Sequence, residues 1–279
     1  MIQLRRMTID DVSLGMRLKE QAGWNQIEAD WRRFLALEPD GCFVAELDGK
    51  PVATTTTCVF GSVAWIAMVL VDKPARHQGI ATRLVEHAVQ FLEGRAVQTV
   101  RLDATPLGRP VYERLGFVAE CDLVRLQGTA STSRSDQTIA LNVPDDFSAA
   151  AELDRQITGT DRHRLLKAMF REQPDAARAV LDGSRTIGYA MLRAGSQATQ
   201  VGPAAALTTD AGCALMDWAF QQCDGQSVFV DVPCDNQPAI DWANGKGLET
   251  QRPFTRMYRG RPVQDQVVHL WASSGPEKG

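Results

Sequence analysis

Residues 63–92 constrain the fold more than any other part of this 279-residue chain. They open with VAWIAMVLV at 63–71, nine apolar residues rich in β-branched types, which is the pattern of a buried strand. Pro74 then stops any strand ladder. Beyond it Ile80, Leu84, Val85, Ala88, Val89 and Leu92 repeat at helical spacing and define one apolar face of a helix over 80–92. The order is therefore strand, loop, helix. The loop delivers Arg76, Gly79 and a run of free amide N–H groups to the start of that helix. Together with the positive end of the helix dipole these are the parts of an anion cradle. The spacing matches neither G-x-G-x-x-G nor G-x-x-x-x-G-K-[ST], which argues against a dinucleotide and against a nucleoside triphosphate.

Taken in order, the chain begins with a short strand at 2–5 and a helix over 12–22 ended by Gly23. A second helix over 27–37 carries Ile27, Trp31, Phe34 and Leu35 on one face, and Pro39-Asp40-Gly41 closes it. Strands at 42–47 and 52–59 flank Asp48-Gly49, a strong hairpin signal. After the central passage come a strand at 97–104, a short helix over 109–115 stopped at Gly116, and a strand at 117–126. The expected class is α/β, with a mixed sheet.

Two landmarks in this order resemble the GCN5-related N-acetyltransferases, the GNAT superfamily. One is Arg76-x-x-Gly79-x-Ala81, similar to that family's R/Q-x-x-G-x-G/A pyrophosphate loop. The other is Tyr112-x-x-x-Gly116-Phe117, similar to its Y-x-x-x-G-F element. The resemblance covers about residues 2–126. It implies that Val69, Leu70 and Val71, at the end of the fourth strand, hold the acetyl and pantetheine groups of acetyl-CoA. Arg76, His77, Gln78, Gly79, Ile80, Ala81 and Thr82 would hold its pyrophosphate. Tyr112 would act as general acid on the departing thiolate; the bland alternative is an amphipathic core tyrosine. The general base is not legible, since Glu28, Asp30 and Asp103 read equally as surface or capping charges. Acceptor choice is expected in the segment between the first two helices, at Trp24 and Asn25, although Trp24 and Trp31 fit a core as well.

Gly128 opens a small polar stretch, GTASTSRSDQ, the composition of a linker. The residues beyond it repeat the first half: an Asp145-Asp146 pair before a helix, a second helix over 161–171, and Asp182-Gly183 where Asp48-Gly49 stood. The expected organisation is a first domain over 1–127, a linker over 128–138 and a second, GNAT-like copy over 139–272. That second copy has lost the chemistry. Residues 201–207, read as its loop, keep no arginine. Ala243 stands at the position of Tyr112. It does keep Asn236, an asparagine often seen in active GNAT domains, where the first copy has Thr105.

Composition narrows the remaining choices. A net charge of −4 without a Lys/Arg block gives no reason to expect nucleic acid. No apolar run is long enough for a bilayer, and the charged start MIQLRRMTIDD is unlike a signal peptide, so the expected place is the cytoplasm. Six scattered cysteines without C-x-x-C spacing read as reduced thiols, and four unpaired histidines give no case for a metal. The expected activity is transfer of an acetyl group from acetyl-CoA to a primary amine of a small molecule. The alternatives are a non-catalytic acetyl-CoA sensor and an acetyltransferase acting on a protein or peptide.

Overall fold

The structure is a computed structural model that describes residues 1–131, 139, 141–142 and 147–279. In chain order the first half forms β1 (Ile2–Arg6), α1 (Val12–Ala22), α2 (Glu28–Leu37), β2 (Phe43–Leu47), β3 (Lys50–Phe60), β4 (Val63–Val71), α3 (Ile80–Glu93), β5 (Thr99–Ala104), α4 (Arg109–Arg114) and β6 (Val118–Thr129). The second half forms β7 (Leu141–Asn142), α5 (Ser148–Thr158), α6 (His163–Glu172), β8 (Ala177–Asp182), β9 (Arg185–Arg193), β10 (Thr199–Ala206), α7 (Thr209–Gln222), β11 (Ser227–Pro233), α8 (Gln237–Gly245), β12 (Glu249–Gly260) and β13 (Leu270–Ala272).

These elements make two compact units. Unit 1 holds Met1–Glu120, Arg256–Pro262 and Lys278, and unit 2 holds Cys121–Thr255, Val263–Glu277 and Gly279. Unit 1 is built on the order β1-β2-β3-β4-β5, antiparallel up to β4, with β5 parallel to β4. The β2–β3 hairpin turns at Asp48 (φ 50) and Gly49 (φ 78), the two positive φ values that a two-residue hairpin turn needs. The α3 residues Ile80, Leu84, Val85, Ala88, Val89 and Leu92 are all buried, and they pack with Phe43, Ile66, Val100 and Leu102 from the strands. Burial of each of the larger of these side chains contributes about 1.5–3 kcal/mol, so this face fixes α3, and with it the loop before it. Trp31 is fully buried and belongs to the core. Its ring fills the place that a side chain on Gly15 would need, so α1 and α2 pack through that glycine.

The long strand after the short helix of each half, β6 or β12, does not stay wholly with its own half. Residues 121–129 of β6 lie in unit 2, antiparallel to β11 from Leu123 against Pro233 to Thr129 against Ser227. Residues 256–260 of β12 lie in unit 1 beside β5, and Arg261 exchanges hydrogen bonds there with Gln98 and Thr99. Each exchanged strand brings a buried arginine. Arg256 makes a two-pronged ion pair with Asp103 on β5 at 2.8 and 3.0 Å, and its guanidinium lies 5.0 Å from the Trp65 ring. Arg125 does the same with Asp231 on β11 at 2.7 and 2.8 Å, between the rings of Phe229 and Phe254. Both arginines stand nine residues after the glycine that precedes their strand, Gly116 or Gly247. The exchange is thus symmetric between the repeats.

Two expectations need correction. The strand expected to end at Leu126 runs on to Thr129, so the polar stretch expected to begin a linker at Gly128 starts inside β6. Gly128 lies against Leu248, and that packing carries the strand through a glycine. Residues 201–207, read as a loop because of Gly202-Pro203 and the alanine run, are largely β10, where residues 200–206 are buried. The connection that replaces the first copy's loop is Leu207 and Thr208 alone. The Asp145-Asp146 pair and residues 132–138 lie outside the described residues.

Candidate functional site

In unit 1 the candidate site is the place where β4 and β5 part. The two strands pair at Val63, Ala64 and Trp65 against Thr99, Val100 and Arg101, and beyond Trp65 the β5-facing edge of β4 has no ladder partner among the described residues. Over the same stretch β4 also slips against β3. The register shifts between Thr54 and Thr56, and Met68 takes φ 52, a left-handed conformation rare for a non-glycine residue inside a strand. Two buried threonines satisfy carbonyls at this bulge: Thr54 donates to Met68 O at 2.9 Å and Thr55 to Ala67 O at 3.3 Å. Beyond the bulge come Val69, Leu70 and Val71, the end of β4. Val69 and Val71 are half-buried and Leu70 is buried.

The loop after β4 is a short 3-10 turn over Lys73–Ala75, then Arg76 to Gly79, then α3. His77 (φ 63) and Gly79 (φ 74) are both left-handed. An added Cβ on Gly79 would meet nothing within 4 Å, so its backbone conformation, rather than crowding, calls for glycine. Among the described residues the backbone N–H groups from His77 to Thr82 make no close hydrogen bond to a backbone acceptor outside the helix, and no side chain caps α3. Arg76 Nε donates to Val71 O at 3.1 Å, tying the loop to the end of β4. Its terminal nitrogens meet no acidic partner among the described residues. A row of unspent donors, a helix N-terminus and an unpaired arginine fit a pyrophosphate.

The loop is latched to α1 by contacts that no local pattern announces. Asp72 accepts from Arg17 Nη1 at 2.5 Å and from Gln21 Nε2 at 3.1 Å, while Gln21 Oε1 accepts from Lys73 N–H at 3.2 Å. Burial pushes the Asp72 carboxyl up, but hydrogen bonds from Arg17, Gln21 and Lys73 N–H outweigh it and hold the group below the usual carboxylate range. Gln21 lies three residues before Trp24, so the latch sets the start of the connection between α1 and α2 beside this loop. On that connection Trp24 is half-buried and Asn25 is buried.

Tyr112 lies on α4, half-buried against the same hydrophobic cluster that includes Val69, Val71 and Ile80, with its ring edge-on to Phe117 at 6.0 Å. Its hydroxyl has no hydrogen-bond partner among the described residues, and burial pushes it up to about 12. The three carboxylates considered as a base already have cations: Glu28 with Arg32, Asp30 with Arg33 and Lys278, and Asp103 with Arg256. Among the described residues no group of three His, Cys, Asp or Glu side chains could hold a metal, and no helix is long and apolar enough to cross a membrane. All six cysteines are free thiols.

Unit 2 keeps the same frame with different contents. β10 and β11 pair at three positions, Thr199 to Val201 against Val228 to Val230, and then part as β4 and β5 do. Leu248 N–H donates to Ala243 O as Phe117 N–H donates to Tyr112 O, both at 3.1 Å, which places Ala243 where the tyrosine stands in unit 1. At the start of α7, however, the Thr208 hydroxyl accepts from Ala211 N–H and Asp210 sits in the first turn. That helix end caps itself and carries a negative charge, which disfavours an anion.

Comparison with known proteins accounts for both halves. Residues 13–117 match the model of the acetyltransferase (GNAT) family, and residues 150–272 match a model described as an acetyltransferase (GNAT) domain. An uncharacterized N-acetyltransferase of Bacillus subtilis, YitH, is 23% identical over 276 residues, spanning 97% of this chain and 96% of that protein. The N-alpha-acetyltransferase MAK3 of Arabidopsis thaliana is 35% identical over 96 residues, 32% of this chain and 50% of that protein. A crystal structure from Pyrococcus horikoshii superposes with a TM-score of 0.86 at 22% identity, covering 100% of this chain and 96% of that one.

Proposed function

Because the chain belongs to the GNAT family of acetyl-CoA-dependent acetyltransferases, we propose that unit 1 moves the acetyl group of acetyl-CoA to the primary amine of a small molecule. The observation that carries this reading is the row of unspent donors from His77 to Thr82 beside the unpaired Arg76, at the place where β4 and β5 part. In this reading the pyrophosphate lies on Arg76, His77, Gln78, Gly79, Ile80, Ala81 and Thr82, and the thioester arm runs along Val69, Leu70 and Val71. The amine nitrogen attacks the thioester carbonyl carbon. The carbonyl oxygen takes up charge, which an N–H on the unpaired edge of β4 stabilises. The C–S bond then breaks with its electron pair going to sulfur, and the ammonium proton leaves to water, consistent with carboxylates already paired to cations.

Tyr112 serves the departing sulfur in this reading. A hydroxyl near 12 holds its proton against a thiol near about 8.5, so it acts by donating a hydrogen bond to the developing thiolate, with little proton transfer. Trp24 and Asn25 border the acceptor. A second reading, the amino terminus of a peptide as acceptor, draws on the likeness of 96 residues to an N-alpha-acetyltransferase. Thiol release measured across amines, polyamines, amino acids and peptides tests both. Turnover is expected with small amines; turnover with peptides alone would favour the second reading, and none with any amine would contradict both.

A further inference from the structure

The two units differ most at the place where their central strands part. In unit 1 the edge of β4 beyond Trp65 has no ladder partner from β5. In unit 2 the corresponding edge of β10 is taken by β13, antiparallel, with Ala204 against Ala272 and Ala205 against Leu270. On its other side the same segment meets β11, where Ser273 N–H donates to Asp231 O at 2.8 Å. It therefore lies as a strand between β10 and β11.

The groove is built around this occupant. A Cβ on Gly202 would overlap the Ser273 carbonyl, and a Cβ on Gly212, in the first turn of α7, would overlap the Trp271 ring. The segment thus passes at two points where any side chain would block it. Asn236, fully buried at the start of α8, donates from Nδ2 to Leu270 O at 3.0 Å while its Oδ1 accepts from Ala239 N–H. Trp271, Ala272, Ser273 and Ser274 are almost completely buried. Arg162, itself paired with Asp154, donates to Ser274 Oγ at 3.3 Å and to the Gly279 carbonyl.

We propose that residues 270–275 are a resident strand ligand of unit 2, occupying in cis the groove that corresponds to the thioester site of unit 1. The correspondence rests on the acetyl-CoA reading of unit 1; the occupancy does not. The second copy is then a peptide-strand receptor. Its groove takes an extended segment with a large aromatic facing α7 and small residues passing Gly202, and it takes no acyl-CoA.

Hydrogen exchange by mass spectrometry on the full chain, with and without saturating acetyl-CoA, tests this. The amides of 270–273 are expected to exchange at least about a hundredfold more slowly than in an unstructured peptide, like those of β10 and β11, and to be unmoved by acetyl-CoA. Exchange at unstructured rates would overturn the proposal, as would loss of protection on adding acetyl-CoA, which would make the segment a displaceable gate. Protection gained at 77–82 reports separately on the acetyl-CoA reading, so failure there leaves the strand ligand standing. In the full chain, Gly202→Ala is expected to speed exchange at 270–273, and unchanged exchange would count against the proposal.

Discussion

Arg256→Ala is expected to lower the stability of unit 1 by about 3–5 kcal/mol, the usual cost of stranding one charge of a buried pair. Asp103 and Arg256 have side chains only 2% and 3% exposed, so solvent cannot replace the lost partner. The substitution also removes a cation from the face of Trp65. Asp103→Ala/Arg256→Ala is expected to recover part of the loss, because it removes the orphaned carboxylate. Urea unfolding of the single and double variants measures this. A single variant within about 1 kcal/mol of wild type would mean that the exchanged strand does not secure unit 1. For the same reason residues 1–130 alone are expected to fold poorly, since they lack the strand at 256–260.

Tyr112→Phe is expected to lower kcat about tenfold to a hundredfold with little change in acetyl-CoA affinity. A hydrogen bond to a charged group contributes about 1.5–3 kcal/mol, and this one forms mainly as the thiolate departs. Phe keeps the ring, its place in the cluster and its contact with Phe117, so melting temperature should hold. Because burial raises the hydroxyl to about 12, it stays protonated through neutral and mildly alkaline pH. The ratio of wild-type to variant kcat should therefore be flat up to about pH 10. The sign for stability is the opposite of a depressed carboxylate: what burial of the neutral hydroxyl contributes is intact below the unfolded value of about 10 and is lost as pH rises toward the folded one. Unchanged kcat, or a fall in melting temperature with no kinetic effect, would return Tyr112 to the core.

Much of unit 1 was legible because its signals are local. Nine apolar residues bounded by Gly61-Ser62 and Asp72 could only be a buried strand, and Val63–Val71 has those bounds. Asp48-Gly49 made its hairpin, and Gly23 ended α1 in a left-handed conformation. The loop's place at the start of α3 followed from the helical spacing after Ile80. Other features depend on contacts far apart in sequence and leave no local trace. Residues 121–129 and 256–260 read as strands under any pairing, and nothing in their alternation says which sheet they join. The latch of Arg17 and Gln21 on Asp72 spans more than fifty residues. The bulge at Met68 carries no glycine to mark it. Around Gly202-Pro203 the local signals pointed the wrong way: glycine, proline and three alanines all disfavour a strand, yet burial between β9 and β13 makes one. β13 comes after a polar, proline-containing stretch, and its only cue was the short apolar run at Leu270-Trp271-Ala272.

The central claim is that one acetyl-CoA site exists per chain and that it lies at Arg76. Calorimetric titration of the full chain with acetyl-CoA tests it most directly, with Arg76→Glu measured alongside. The expected result is one site per chain, and at least a tenfold loss of affinity, on the order of 1.4 kcal/mol or more, when a carboxylate replaces the guanidinium facing the pyrophosphate. Two equal sites, or an Arg76→Glu chain that binds as tightly as wild type, would contradict it.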